Sequence, residues 1–157
     1  MTASYPSTIR PCLRASKARS QPAVFKLAEP KRGRGYVQPV GTDVPVFWDV
    51  EFLFTQEEAI VFWLWFKNTL GAGVNEFIMP IRTEFGMVSH TCQFMPDSLM
   101  NSSEDGGLRR YKATIMARSL ITPASYDDAS DLITTLPAWR NWAAALDQAV
   151  SLEMTGA

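Results

Sequence analysis

The sequence predicts an α+β fold, mainly β with α insertions: an antiparallel, β-sandwich-like domain with one packed helix, an extended N-terminal arm and a C-terminal amphipathic helix. Three observations predict it. Val44, Val46, Trp48, Val50, Phe52 and Phe54 alternate with Pro45, Phe47, Asp49, Glu51 and Leu53, the period of a strand with one face in a core. Thr55-Gln56-Glu57-Glu58 is a helix-capping sequence placed directly before an apolar run. After Pro137, Trp139, Trp142, Ala143, Leu146, Ala149 and Val150 recur at i, i+3, i+4, i+7, the stripe of an amphipathic helix. The 157 residues fit one domain with extensions. We read them as an arm over 1–35, a β-sandwich-like domain over 36–122 and a linker with a final helix over 123–157.

The arm carries Pro6, Pro11, Pro22 and Pro30 and no sustained periodicity, so an extended segment is expected. The first long strand follows over 44–54, with Pro45 suited to a strand end or an edge. The first helix is expected over 56–70. Thr55 offers its hydroxyl to the orphan N–H groups and Glu58 reaches back, while Gly71 and Gly73 stop it. Its run Ala59-Ile60-Val61-Phe62-Trp63-Leu64-Trp65-Phe66 is apolar nearly all round. A helix on a sheet needs one apolar stripe, so a second face must also be covered, by another subunit, by the chain's own tail, or by a fully internal position.

Residues 76–81 form a short strand bent or ended at Pro80. In the strand over 87–95, Val88, His90, Cys92 and Phe94 share one face. Residues 101–107, Asn-Ser-Ser-Glu-Asp-Gly-Gly, read as an exposed turn. In the long strand over 108–120, Tyr111, Ala113, Ile115 and Ala117 face one way and Arg110, Lys112, Thr114 and Arg118 the other. A polar linker is expected over 123–130, and Pro137 suits the first residue of the last helix.

Net charge is −1, so no global field draws the chain to nucleic acid; contact through the basic arm would be incidental. The charges are nonetheless segregated. Arg10, Arg14, Lys17, Arg19, Lys26, Lys31, Arg32 and Arg34 precede residue 40 against Glu29, whereas Asp127, Asp128, Asp131, Asp147 and Glu153 follow residue 120 against Arg140. Such ends suit neighbour-to-neighbour complementarity, or are simply solvated. No signal sequence and no membrane span is expected, since the most apolar run is far shorter than a span requires.

No catalytic, cofactor or metal site is expected. Cys12 and Cys92 stand in no metal-ligand spacing, and reduced thiols are the default. His90 falls on the apolar face of its strand, where a satisfied structural histidine is the simplest reading. A Cys92–His90 hydrolase is the enzymatic alternative, but the two would lie side by side without an orienting group or oxyanion hole. Asp127, Asp128 and Asp131 lack the pattern of a calcium loop. Arg109, Arg110 and Lys112, which open a strand after a glycine turn, read as rim charges at an interface.

Tyr5-Pro6-Ser7-Thr8-Ile9-Arg10-Pro11-Cys12-Leu13 resembles the Tyr-Pro-Ser opening of small phage and prophage tail-associated proteins, with Arg10 and Cys12 departing from the usual pattern. Over residues 5–120 the order of strand, aromatic helix, aromatic-x-x-Pro strand (Phe77 to Pro80) and two further strands resembles the minor tail protein M family of lambda-type siphophages and related distal tail proteins. The resemblance implies a non-enzymatic virion component. It would be assembled in the host cytoplasm into a homo-oligomeric ring, commonly hexameric, at the tail tip between tail tube and hub. A tail assembly or connector protein of the neck is the alternative with the same fold. The subunit contact is expected to draw on Trp63, Trp65 and Phe66 of the first helix and Trp139, Trp142 and Leu146 of the last.

Overall fold

The computed structural model describes residues 2–11, 17–96 and 101–135. The chain divides into two compact units, Met1–Ile121 and Thr122–Ala157. The arm is extended, but it belongs to the first unit and supplies short strands: β1 (Ala3–Ser4), β2 (Ala18–Ser20) and β3 (Phe25–Ala28), which pairs with β4 (Tyr36–Pro39). Ile9 is buried in the core and Tyr5 packs against it.

Next come β5 (Val46–Phe54), α1 (Gln56–Leu64), a π-helical turn (Trp65–Thr69), β6 (Phe77–Thr83), β7 (Gly86–Phe94), β8 (Ser102–Asp105) and β9 (Leu108–Ala117). The main sheet runs β1-β6-β7-β9-β5-β2, with β8 added to β9; its ladders are antiparallel except for β1 beside β6. Two long ladders dominate, nine residue pairs between β5 and β9 and seven between β6 and β7. Only three pairs join β7 to β9. The fold is mainly β with one packed helix, the α+β class expected. Side chains bridge the far ends of this strand order. Lys17, before β2, donates to the Arg82 carbonyl of β6, and Arg19 pairs with Glu84 at 2.7 Å.

Period two decides which residues enter the core. Val46, Trp48, Val50, Phe52 and Phe54 of β5 are buried, as are Tyr111, Ala113, Ile115 and Ala117 of β9 and His90, Cys92 and Phe94 of β7. Thr55 caps α1 with both halves of the capping box in place: its Oγ1 accepts from Glu58 N, and its own N–H donates to Glu58 Oε2 at 2.9 Å. The helix seats Phe62 5.0 Å from Phe54, 5.4 Å from Phe52 and 5.7 Å from Tyr111, ring to ring. Phe62 is fully buried, and truncating it to alanine would cost about 3–5 kcal/mol in lost burial and cavity.

Where α1 would continue to residue 70, the backbone widens instead. Leu70 N–H bonds Trp65 O, five residues back. Trp65 and Phe66, three and four residues after Phe62, are both buried on its side of the helix. Residues 101–107 are likewise more than a turn: β8 pairs with β9 and only Gly106 and Gly107 reverse the chain, both at positive φ. The second unit, expected to begin as a linker, contains α2 (Ala124–Asp128) and α3 (Ser130–Thr135). The final helix expected after Pro137 lies outside the described residues.

Candidate assembly surface

Two apolar surfaces of the first unit are open to solvent. The first is the β3–β4 hairpin, a two-stranded sheet with no ladder to the main sheet. Its register places Phe25 opposite Pro39 and Leu27 opposite Val37 on one face, with Lys26 opposite Gln38 and Ala28 opposite Tyr36 on the other. Alternation therefore makes the ribbon amphipathic. The polar face is internally tied, Gln38 Nε2 lying 3.1 Å from the Tyr36 hydroxyl. The apolar face is bare: Phe25, Leu27 and Val37 are 57%, 59% and 61% exposed. Lys31, Arg32 and Arg34 lie in its connecting turn.

The second surface is the outer side of α1. Ala59 and Phe62 face the core, which leaves Ile60, Val61, Trp63 and Leu64 outside, with Trp63 41% exposed. Ile60, Trp63 and Leu64 flank a groove of about 420 Å³ whose other walls come from Ser102, Arg109 and Tyr111. Arg109 Nε donates to Gln56 Oε1 at 3.3 Å and reaches Glu104 at 3.9 Å, while Glu57 in the first turn is exposed.

Of the residues expected at the subunit contact, Trp63 stands on this surface. Trp65 and Phe66 are buried in the chain's own core, where Trp65 meets Phe77 edge-on at 5.3 Å and Phe66 meets Phe94 at 5.8 Å. Trp139, Trp142 and Leu146 lie outside the described residues, as does Cys12. The hairpin escaped sequence reasoning altogether. Its signal, Phe25-Lys26-Leu27 answered by Tyr36-Val37-Gln38, is two short alternating runs masked by Pro22, Pro30 and Pro39.

The residues of the enzymatic alternative, His90 and Cys92, are both buried on β7. Both imidazole nitrogens of His90 engage backbone: Nδ1 lies 2.9 Å from Val88 O and Nε2 accepts from Ile121 N–H at 3.3 Å. Cys92 Sγ lies 3.6 Å from the His90 carbonyl oxygen. Burial holds the His90 pKa below its ordinary value, the Val88 bond opposes this, and the charge of Lys17 adds to the lowering. Asp127, Asp128 and Asp131 sit on exposed helical turns of the second unit. Among the described residues no three His, Cys, Asp or Glu side chains converge as metal ligands, and no helix is long and apolar enough to cross a membrane.

No family model matches the chain, and no curated protein is significantly similar to it. A chain in a solved structure described as "Tail of empty GTA particle computed with helical refinement, C6 symmetry" is 13% identical over 73% of this chain and 80% of that chain, with a TM-score of 0.41.

Proposed function

We propose that this protein is a structural subunit of a tailed-phage virion, a distal tail protein that assembles as a homo-oligomeric, commonly hexameric, ring between tail tube and hub. The observation that carries the reading is the pair of open apolar surfaces on a chain whose core is already complete. Phe25, Leu27 and Val37 on the hairpin and Ile60, Trp63 and Leu64 on α1 are each at least 41% exposed, and clustered exposed apolar side chains of this kind mark interaction surfaces. The order of elements over residues 5–120, which resembles that of the minor and distal tail proteins, supplies the setting. His90 and Cys92, satisfied by backbone groups, do no chemistry in this reading, and the protein works by binding its neighbours.

The first experiment is the native mass of the purified chain, by multi-angle light scattering and native mass spectrometry, beside a truncation ending at Thr122. A discrete closed oligomer supports the ring; its loss on truncation would assign a share of the contact to the C-terminal segment. Labelling the chain in intact particles then separates tip from neck: label at the neck would make it a connector. A monomer at all concentrations, with particles assembling normally without the protein, would overturn the reading.

A further inference from the structure

Resting on that reading, we infer that the contact between adjacent subunits is made by the β3–β4 hairpin of one copy seated in the groove between α1 and β8–β9 of the next. A free two-stranded hairpin is marginal in water, and this one keeps an entire apolar face, Phe25, Leu27 and Val37, uncovered. Among the described residues the Ile60, Trp63 and Leu64 side of α1 is an apolar surface that lines a groove, and within one copy both it and the hairpin face stay open to solvent. The occupant is therefore a second copy of this chain.

Size and charge agree. Four paired residues make a ribbon about 13 Å long at roughly 3.3 Å per residue. The nine residues of α1 rise over about 13.5 Å. The hairpin is basic, with Lys26, Lys31, Arg32 and Arg34 against Glu29. The α1 side carries Glu57, exposed in its first turn, while on the β8–β9 side Arg109 is engaged by Gln56 and Glu104 and Arg110 by Asp105 at 3.8 Å. Apolar contact at the centre with opposite charges at the rim is the usual anatomy of a specific interface. Hairpin and groove are different patches, so the contact is head-to-tail and can close into a ring.

The test uses two full-length variants, Val37→Asp on the hairpin and Leu64→Asp beside the groove. Both positions are exposed, so thermal unfolding should stay close to wild type, and a melt of each variant checks it. Each variant alone should run as a 17.5 kDa monomer, because one half of every contact is spoiled. Their equimolar mixture should form a dimer of twice that mass and nothing larger, since it restores one intact hairpin–groove pair. Arg32→Glu should weaken the wild-type oligomer, and adding Glu57→Arg should restore part of the loss. If both variants keep the wild-type mass, the ring survives and this contact is wrong. If the variants dissociate but their mixture stays monomeric, the two surfaces do not meet. A wild-type chain that is itself monomeric at all concentrations would overturn the contact, and the ring falls with it if particles also assemble normally without the protein.

Discussion

The Nε2 atom of His90, in the middle of β7, accepts the backbone N–H of Ile121 at 3.3 Å and so holds the last residue of the first unit. Nδ1 carries the ring proton and donates it to Val88 O. The imidazole is buried edge-on to Trp48, with ring centroids 5.2 Å apart. A second proton would have to go on Nε2, against another N–H donor and in a site that already disfavours charge.

This gives a pH dependence with a definite sign. The folded-state pKa of His90 lies below its ordinary 6.5, so below pH 6.5 the unfolded chain takes up a proton that the folded chain refuses. Stability is therefore full above about pH 6.5 and falls as pH drops toward the lowered folded value, by at most about 1.4 kcal/mol per pH unit. Urea titrations at pH 7.5, 6.5 and 5.5 should show the midpoint falling with acid. His90→Gln should be less stable at neutral pH and flat across the same range. An equal acid slope in the variant would remove His90 as the cause.

The capping box gives a separate test in a lower window. Glu58 is held below its ordinary 4.5 chiefly by the bond from Thr55 N–H, with Arg10 at 3.2 Å assisting against some burial. Thr55→Ala removes the hydroxyl acceptor and should destabilise by about 1 kcal/mol at neutral pH, whereas Thr55→Ser should be near neutral. Because the Glu58 pKa is lowered, its contribution is present above about pH 4.5 and lost as pH falls through the folded value, clear of the histidine window. A Thr55→Ala protein as stable as wild type would show that packing of Phe62 alone holds the helix start.

How much of this was legible in the sequence varied with the strength of the local signal. Thr55, Glu58 and the strict alternation around Trp48 and Tyr111 announced α1, β5 and β9, because each element satisfies its own periodicity and caps. β8 was unreadable since Ser102-Ser103-Glu104-Asp105 has no apolar member; its strand form comes from the ladder to β9. The π turn has no sequence mark either. Trp65 and Phe66 lie three and four residues after the core-facing Phe62, so helical spacing puts all three on one face and leaves Trp63 as the aromatic that α1 exposes. The apolar excess on that helix was visible from residues 59–66, and which aromatics stay outside follows from helical spacing once Phe62 is placed in the core.

Two ion pairs should behave differently. Arg110 reaches Glu51 at 2.7 Å, and that glutamate is nearly buried on β5, so Arg110 is a main partner of a desolvated charge. Arg110→Met should destabilise by about 1–2 kcal/mol and respond little to salt. The exposed pair Arg19–Glu84 should contribute under about 1 kcal/mol, less at high salt. Unfolding both variants at low and high ionic strength checks the contrast. Equal losses would mean that the Arg110 pair is solvated too.

The turn after the π segment places three consecutive residues at positive φ: Gly71 at 55°, Ala72 at 58° and Gly73 at 93°. Ala72 is the one side chain among them, and the left-handed conformation costs a non-glycine residue about 1–2 kcal/mol. Ala72→Gly removes that strain but loosens the unfolded chain by about 0.5–1 kcal/mol, so a net gain of about 0.5 kcal/mol is expected. Gly73→Ala should act in the opposite direction with more force. A Cβ there would stand 3.0 Å from Cε2 and 3.1 Å from Cζ of Phe66, whose ring is packed in the core and has little room to yield. Backbone strain and the crowded ring together should destabilise by about 2–3 kcal/mol. Because Phe66 stacks on Trp63 at 5.7 Å, the same substitution should shift the tryptophan fluorescence of the native state. A Gly73→Ala protein with unchanged stability would mean that the turn can relax away from α1, and with it the surface that Trp63 presents.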